Sequence, residues 1–180
     1  MMNDTPAEEN NYNSNTSVTY LKLKGRSGKK NSKINNPPKD QPWIWLTSEL
    51  ISSLAWRSMS INCQKLVNRL IIEHRNHGGY ENGHLVCTYK DFVEYGLTRN
   101  NIRSAIEEAQ ALGLVKHKRG ERVLAKNQPN SYTLTFYATE NMYPPTNDWK
   151  KLTEERLISY RNKTKQQKRK RAEFKQKSRM

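Results

Sequence analysis

Five side chains that can bond to the edges of nucleic-acid bases lie within six consecutive positions of this sequence. They are Arg99, Asn100, Asn101, Arg103 and Ser104. Arg can bond to O6 and N7 of guanine at once, Asn to N6 and N7 of adenine, and Ser to either purine. Ile102 is the one apolar residue among them, which predicts a helix start with one buried side. Glu107 and Glu108 follow one turn later, and we expect them to lie away from the base-contacting end.

Further polar and basic side chains flank these five in the sequence. They are Thr98, Lys116, Lys118, Arg119, Arg122 and Lys126, with His117 inside the basic run and Glu121 as its single acid. Basic side chains suit phosphates, whose contacts fix the register of a protein on DNA without reading its sequence. Thr98 precedes the base-contacting residues, where a helix start directs free N–H groups at a phosphate.

The C-terminal tail is the most basic stretch of the chain. From Arg161 onward it holds ten basic residues and one acid, around the run Lys168-Arg169-Lys170-Arg171. We expect these four residues to bind phosphates of any sequence, with an affinity that falls steeply with salt. Good helix formers extend from Thr153 to about Lys177 with almost no apolar stripe. This composition predicts a helix that is solvated or that forms on a partner.

Capping residues and glycines place the base-contacting residues at the start of the second helix of a pair. Thr88 opens a short helix that Gly96 ends, and Thr98 opens a longer helix that Gly113 ends. Two helices joined by about three residues that include glycine form a helix-turn-helix, whose second helix can enter a DNA major groove. Its predicted inward face is Ile102, Ala105, Ile106, Ala109 and Leu112.

A strand pattern on each side of a polar loop follows this helix pair. Residues 114–119 and 131–137 read as strands, and the second alternates with period two. Together they predict a hairpin with a long tip. We therefore expect an α+β, mainly α fold: a winged helix-turn-helix domain of three or four helices plus a β-hairpin wing.

Two further helices and a strand are predicted upstream of the pair. Thr47 precedes the apolar residues Leu50, Ile51, Leu54 and Ala55, whose spacing predicts one helix with one buried face. Ser60 opens a helix that ends at Gly78-Gly79, and residues 85–87 read as a short strand. The apolar stripe of that helix is Cys63, Leu66, Val67, Leu70 and Ile71.

Cysteines and aromatic residues are interpreted as parts of the core. Cys63 and Cys87 each lie in an apolar context, so we expect small buried residues and no disulfide framework. Trp43, Trp45 and Trp56 bracket the first predicted helix. The other aromatic residues at expected core or strand positions are Tyr80, Tyr89, Phe92, Tyr132 and Phe136.

The distribution of charge divides the chain into three parts. Residues 1–41 carry 7 basic and 4 acidic side chains, residues 42–149 carry 12 and 10, and residues 150–180 carry 13 and 3. The middle part holds 45 of the 61 apolar residues and can bury a core. The flanks are too polar to offset their ordering entropy. We therefore expect a disordered Asn/Ser/Lys-rich arm over 1–41, the winged helix over 42–149, and a basic tail over 150–180.

The sequence lacks the motifs of membrane-spanning proteins, secreted proteins and several classes of enzyme. No apolar run approaches the roughly 18 residues of a membrane span, and the N-terminus lacks the pattern of a secretory signal. We expect a cytoplasmic protein without a membrane partner. Phosphate-binding glycine loops, His-Glu-x-x-His and Gly-x-Ser-x-Gly are missing, and the acidic residues are too scattered for a nuclease. The sequence therefore predicts no enzyme activity and no cofactor.

A zinc site is the alternative that the histidines leave open. His74, His77, His84 and Cys87 form two ligand pairs separated by six residues. Structural zinc sites use such pairs, usually with a longer intervening loop and more thiolates. Histidines at a helix C-terminus are also common without metal. Our prediction is therefore that the protein holds no metal.

Taken together, these motifs resemble a group of bacterial winged helix-turn-helix DNA-binding proteins that have no common assigned role. The matching stretches are LAWR at 54–57, EHRNHGG at 73–79, ENG at 81–83, TYKDF at 88–92, YG at 95–96, IRSAI at 102–106, LGL at 112–114, PNSYTLT at 129–135 and PTNDW at 145–149. The resemblance covers residues 43–152 and implies a winged-helix DNA-binding domain without an established zinc site. The domain is more loosely similar to the N-terminal winged helices of plasmid and phage replication initiators.

The function that the sequence predicts is sequence-preferring binding of double-stranded DNA, in transcription regulation or in control of mobile-element replication. In one alternative the winged helix binds protein, as a homodimer or with a replication or transcription partner. An exposed apolar patch at Leu66 and Leu70, or at Trp43 and Trp45, would favour it. In the other, the chain is a basic protein associated with RNA.

Overall fold

The computed structural model describes residues 42–123 and 126–177 of the protein, without the side chains of residues 122–127 and 175. The predicted arm over 1–41 lies outside the described residues. The described part is α+β and mainly helical. Its helices are α1 (Ser48–Ser52), α2 (Leu54–Arg57), α3 (Ile61–Asn76), α4 (Tyr89–Glu94), α5 (Arg99–Ala111) and α6 (Glu154–Lys177). Its strands are β1 (Leu85–Val86), β2 (Val115–Lys118), β3 (Arg122–Val123), β4 (Lys126–Asn127) and β5 (Ser131–Leu134), and a 3₁₀ turn covers Asp148–Lys151.

The single helix predicted after Thr47 is in fact two short helices. Ser53 separates them with an extended backbone, and its hydroxyl accepts a hydrogen bond from the N–H of Trp56 at 3.2 Å. A serine side chain can offer the backbone this alternative to a continuous helix. Leu50 and Ala55 are buried as predicted, but Ile51 is exposed because the break ends the common face.

Helix α3 is the centre of the core. The hydroxyl of Ser60 caps it by accepting from the N–H of Cys63 at 3.2 Å. The whole predicted stripe is buried, so the prediction for this helix is confirmed. Cys63 and Cys87 are both buried free thiols, also as predicted, and burial raises the pKa of the Cys87 thiol to about 12.

A three-stranded antiparallel sheet packs beside these helices in the order β1-β5-β2. Val115 pairs with Leu134 and Lys118 with Ser131, which confirms the predicted hairpin. The short pair β3–β4 lies within the loop that joins β2 to β5. Strand β5 ends at Leu134 rather than at Tyr137, because the chain turns over residues 135–137. Thr135 holds the start of this turn, since its N–H donates to the carbonyl of Leu114 at 3.1 Å and its hydroxyl to the carbonyl of Gly113 at 2.7 Å. This arrangement is compatible with a winged helix.

Gly113 connects α5 to β2 in close contact with the 3₁₀ turn. It has a φ of +72°, and an added Cβ would lie 2.7–2.8 Å from backbone atoms of Asp148 and Trp149. Gly113→Ala is therefore expected to lower the free energy of unfolding by about 2–3 kcal/mol, since left-handed strain and a backbone shift add together. Urea unfolding measures the loss.

Gly79 provides the matched control for this substitution. It has a φ of +84°, but an added Cβ would meet only the His74 ring at an ordinary 3.8 Å. Gly79→Ala should therefore cost only the strain, about 1 kcal/mol. Equal losses in the two variants would mean that the contact with the 3₁₀ turn does not matter.

The aromatic residues divide into two groups, and one of them contradicts the sequence prediction. Phe92 and Tyr132 are fully buried and pack edge to face. Trp43, Trp45 and Tyr80, predicted as structural, are 58%, 53% and 71% exposed. The reason is local: the chain reaches α1 along the surface, where Trp45 packs edge to face with Tyr137 and its indole is otherwise half open to solvent.

Helix α6 covers the predicted basic tail. Its first turns contact the body of the protein, since Leu157 is buried while Tyr160 and Thr164 are half-buried. Ile158, one residue further round the helix, is exposed. Within the described ranges, no helix is long and apolar enough to cross a bilayer.

Candidate nucleic-acid interface

Hydrogen bonds hold both ends of α4, and those at its C-terminal end fix the turn that leads to α5. Thr88 and Asp91 form a reciprocal capping box at the start of α4, and these bonds hold the pKa of the Asp91 carboxyl below its usual value. At the end of α4, Gly96 has a φ of +90° and its carbonyl accepts from Nζ of Lys65 at 2.8 Å. Lys65 belongs to α3, so the turn is tied to the central helix.

Helix α5 presents two different faces. Ile102, Ala105 and Ala109 are at most 1% exposed and anchor the helix in the core. The polar residues of its first turns lie on the other face: Arg99, Asn100, Arg103 and Ser104 are exposed, and Asn101 is half-buried. All five predicted base-contacting residues therefore lie at one end of one anchored helix.

Two acidic residues of α5 behave differently from the prediction. Glu107 does not lie away from the polar end, because its Oε1 accepts from Nε of Arg103 at 2.9 Å. The pair is one helical turn apart, and both side chains are largely exposed, so it is weak. Arg103 therefore has an acidic partner within α5, whereas the structure shows no ion pair of Arg99 with a described residue.

Glu108 has a structural role that the sequence did not reveal. Its carboxylate accepts from the N–H of Ser60 at 2.7 Å and from the hydroxyl at 2.6 Å. Ser60 is the cap of α3, so Glu108 joins the start of the central helix to the middle of α5. The 48 residues between the two positions explain why no local pattern indicated the pairing.

Thr98 precedes α5 as predicted, but its side chain makes no capping hydrogen bond. Thr98 is exposed to solvent. The hydroxyl is therefore available at the positive end of the α5 dipole, where an anion is stabilised.

The basic residues of the β2–β5 hairpin are not equivalent. Lys118 and Arg119 are exposed at the end of β2. Lys116 instead pairs with the carboxylate of Asp148 at 3.1 Å. Hydrogen bonds from Lys151 and Lys116 lower the pKa of the Asp148 carboxyl to about 2. His117 stacks on Tyr132 with ring centroids 5.1 Å apart, and burial lowers its pKa. Arg122 and Lys126 belong to β3 and β4, and their side chains lie outside the described part.

A cleft separates α5 from α6, and we call it the α5–α6 cleft. It has a volume of about 650 Å³. Its α5 wall includes Asn101, Ser104 and Glu108, and Ser58 and Ser60 close one side. Its α6 wall consists of Leu157, Tyr160, Arg161, Thr164, Lys165, Lys168, Arg169 and Ala172.

The predicted phosphate-binding run is split by this geometry. Lys168 and Arg169 line the α5–α6 cleft, whereas Lys170 and Arg171 are exposed and do not. The split arises because successive residues of an α-helix are rotated by about 100° around its axis, so four consecutive side chains cannot all point to one side. The sequence treated the four residues as one patch because charge alone carries no direction.

The four residues of the zinc alternative are held apart by other partners. His74 is buried and stacks on Tyr137, and Cys87 is buried. His77 pairs with Glu73 and Glu81, and His84 with Glu140. Among the described residues, no group of three or more His, Cys, Asp or Glu side chains could hold a metal ion. His74, His77, His84 and Cys87 therefore do not form such a group in the described part of the chain.

In comparisons with known proteins, no family model, curated protein or solved structure matches the chain.

Proposed function

We propose that this chain binds double-stranded DNA with sequence preference through a winged helix-turn-helix, in transcription regulation or in control of mobile-element replication. The observation that carries the proposal is the division of α5: its polar end is exposed while its opposite face is fully buried. A helix anchored in this way presents Arg and Asn side chains at fixed positions. Fixed donors and acceptors are what direct readout of a major groove requires.

The elements around α5 support the same proposal. Helix α4, a turn with a glycine and α5 form the expected helix pair, and the β2–β5 hairpin takes the place of the wing. Lys118 and Arg119 lie exposed on that hairpin and would contact phosphates. Such a protein would act on the bacterial nucleoid, without a cofactor.

Selection of bound duplexes from a random pool, at near-physiological salt, tests the proposal directly. We expect a recovered motif that contains guanine and adenine at neighbouring positions, since Arg99 and Asn100 are adjacent. A pool that returns no motif would overturn sequence preference. Competition with structured RNA at matched salt would identify an RNA-associated protein if RNA displaced the duplex.

The protein-binding alternative retains one supporting observation. Leu66 and Leu70 are fully buried and offer no surface, but Trp43, Trp45 and Tyr80 line an exposed depression of about 410 Å³. Exposed aromatic clusters mark interaction surfaces, and self-association is the simplest case. Light scattering over a range of concentrations would show dimers if the chain binds a second copy of itself, and a constant monomer mass would remove the homodimer form of this alternative.

A further inference from the structure

We propose that the α5–α6 cleft holds the sugar–phosphate backbone of one DNA strand. Helix α6 would then be the second wall of the binding surface, and not a detached tail of general affinity. The inference rests on the proposed function and deepens it, because it assigns a defined part of the duplex to a defined cleft.

The course of α6 beside α5 is the first step. Gly113, just after α5, lies against Asp148 and Trp149, just before α6, so α6 starts near the end of α5. Leu157 and Tyr160, in the first turns of α6, line the cleft together with Glu108 and Leu112, at the end of α5. Burial raises the pKa of Tyr160, and the negative charge of Glu108 adds to this effect. The two helices therefore run in opposite directions.

This direction brings the basic end of α6 to the polar end of α5. Lys168 follows Tyr160 by eight residues, about 12 Å of helix. The same distance back along α5 from Glu108 reaches Asn100, at the start of that helix. Asn101 and Lys168 accordingly line the same cleft.

The charge of this end of the cleft is the second step. Arg161, Lys165, Lys168 and Arg169 line one wall, and none of them makes an ion pair with a described residue. Lys168 and Arg169 lie towards the start of α5, which is the positive end of its dipole and where Arg99 is exposed. Like charges that share one cleft repel, so an anion between the two walls would lower the energy of the arrangement.

The chemistry of the walls indicates which anion. Asn101 and Ser104 offer an amide and a hydroxyl opposite the cations, and phosphates in protein–DNA complexes are bound by these groups together with Arg, Lys and helix N-termini. Glu108 lines the same cleft further along α5, beside Ser60. An acidic peptide that filled the cleft would meet this carboxylate, whereas a strand crossing at the basic end would not.

Two triple variants with the same loss of charge test the proposal. The cleft variant is Lys165→Gln, Lys168→Gln and Arg169→Gln. The control is Lys163→Gln, Lys170→Gln and Arg171→Gln, whose residues do not line the cleft; Lys163 lies on the opposite side of α6. Gln is as good a helix former as Lys and Arg, and circular dichroism checks that both variants keep their helix.

Binding to the selected duplex is measured at several salt concentrations. We expect the cleft variant to lose tenfold or more in affinity at physiological salt, and its salt slope to fall by about 2.7 for three phosphate contacts. The control should lose about threefold or less.

Equal losses in the two variants would overturn the cleft proposal while duplex binding stands. Loss of binding to a polyglutamate peptide in the cleft variant, with duplex binding intact, would overturn it in favour of an acidic protein partner. Failure of the unmodified protein to bind any duplex would instead be the failure of the proposed function.

Discussion

Replacing Arg99 and Asn100 together with alanine is expected to lower affinity for the preferred duplex by about 30-fold or more. Each bidentate contact to a purine contributes about 1–3 kcal/mol of discrimination, and two of them are removed. Both residues are exposed at the start of an anchored helix, so their loss should leave the fold unchanged. The preferred and a scrambled duplex should then bind with nearly equal affinity in a titration at fixed salt.

Arg75→Ala is the control for charge. It also removes one positive charge, but from the C-terminal end of α3, which is about 24 Å from the end that contacts α5 through Ser60. Its affinity for both duplexes should stay within about twofold of the unmodified protein. If the Arg99/Asn100 variant lost no more than Arg75→Ala, the assignment of α5 as the reading helix would be wrong.

Asn82→Ala is expected to lower the free energy of unfolding by about 3–5 kcal/mol. Asn82 is fully buried, its Oδ1 accepts from the N–H of Leu134 at 2.7 Å, and its Nδ2 donates to the carbonyls of Leu134 and Tyr137 at 2.8 and 3.0 Å. The Ala138 carbonyl lies 3.1 Å from the same nitrogen. Alanine would leave several of these buried groups without partners, and each costs about 1–3 kcal/mol. Urea unfolding followed by tryptophan fluorescence measures the change.

Asn162→Ala is the control that shows what the removal of an exposed asparagine does to stability. Asn162 is exposed in α6, and alanine there should change stability by no more than about 0.5 kcal/mol. A similarly small effect at Asn82 would mean that the end of β5 is held by the hairpin alone.

The helices that carry strong local signals were predictable from the sequence. Thr88 with Asp91, Gly96 and Gly113 mark the ends of α4 and α5, and the apolar stripe of α3 is buried throughout. These signals work because a cap or a left-handed glycine acts within a few residues of its own position. The same locality explains why no pattern indicated the role of Asn82, since its partners lie 52 and more positions away.

The candidate interface was only partly predictable for a related reason. The polar end of α5 follows from six adjacent residues, but the α5–α6 cleft joins residues of the two helices that are 45 or more positions apart in the chain. Lys116 and Arg103 were read as free cations, and the structure gives each an acidic partner. No pattern within a helix or strand reveals such partners, because they depend on how the elements pack.

The sequence by itself determined that the middle of the chain can form a core, where several of its helices and strands begin and end, and that α5 has one apolar and one polar side. Only the tertiary structure decided which basic residues of α6 face α5, that Glu108 accepts hydrogen bonds from Ser60 at the start of α3, and that Trp43 and Trp45 stay exposed. The physical reason is that caps, turns and periodicity are short-range properties of the backbone. The direction of a charge or an aromatic ring is set by contacts between elements that are distant in the chain.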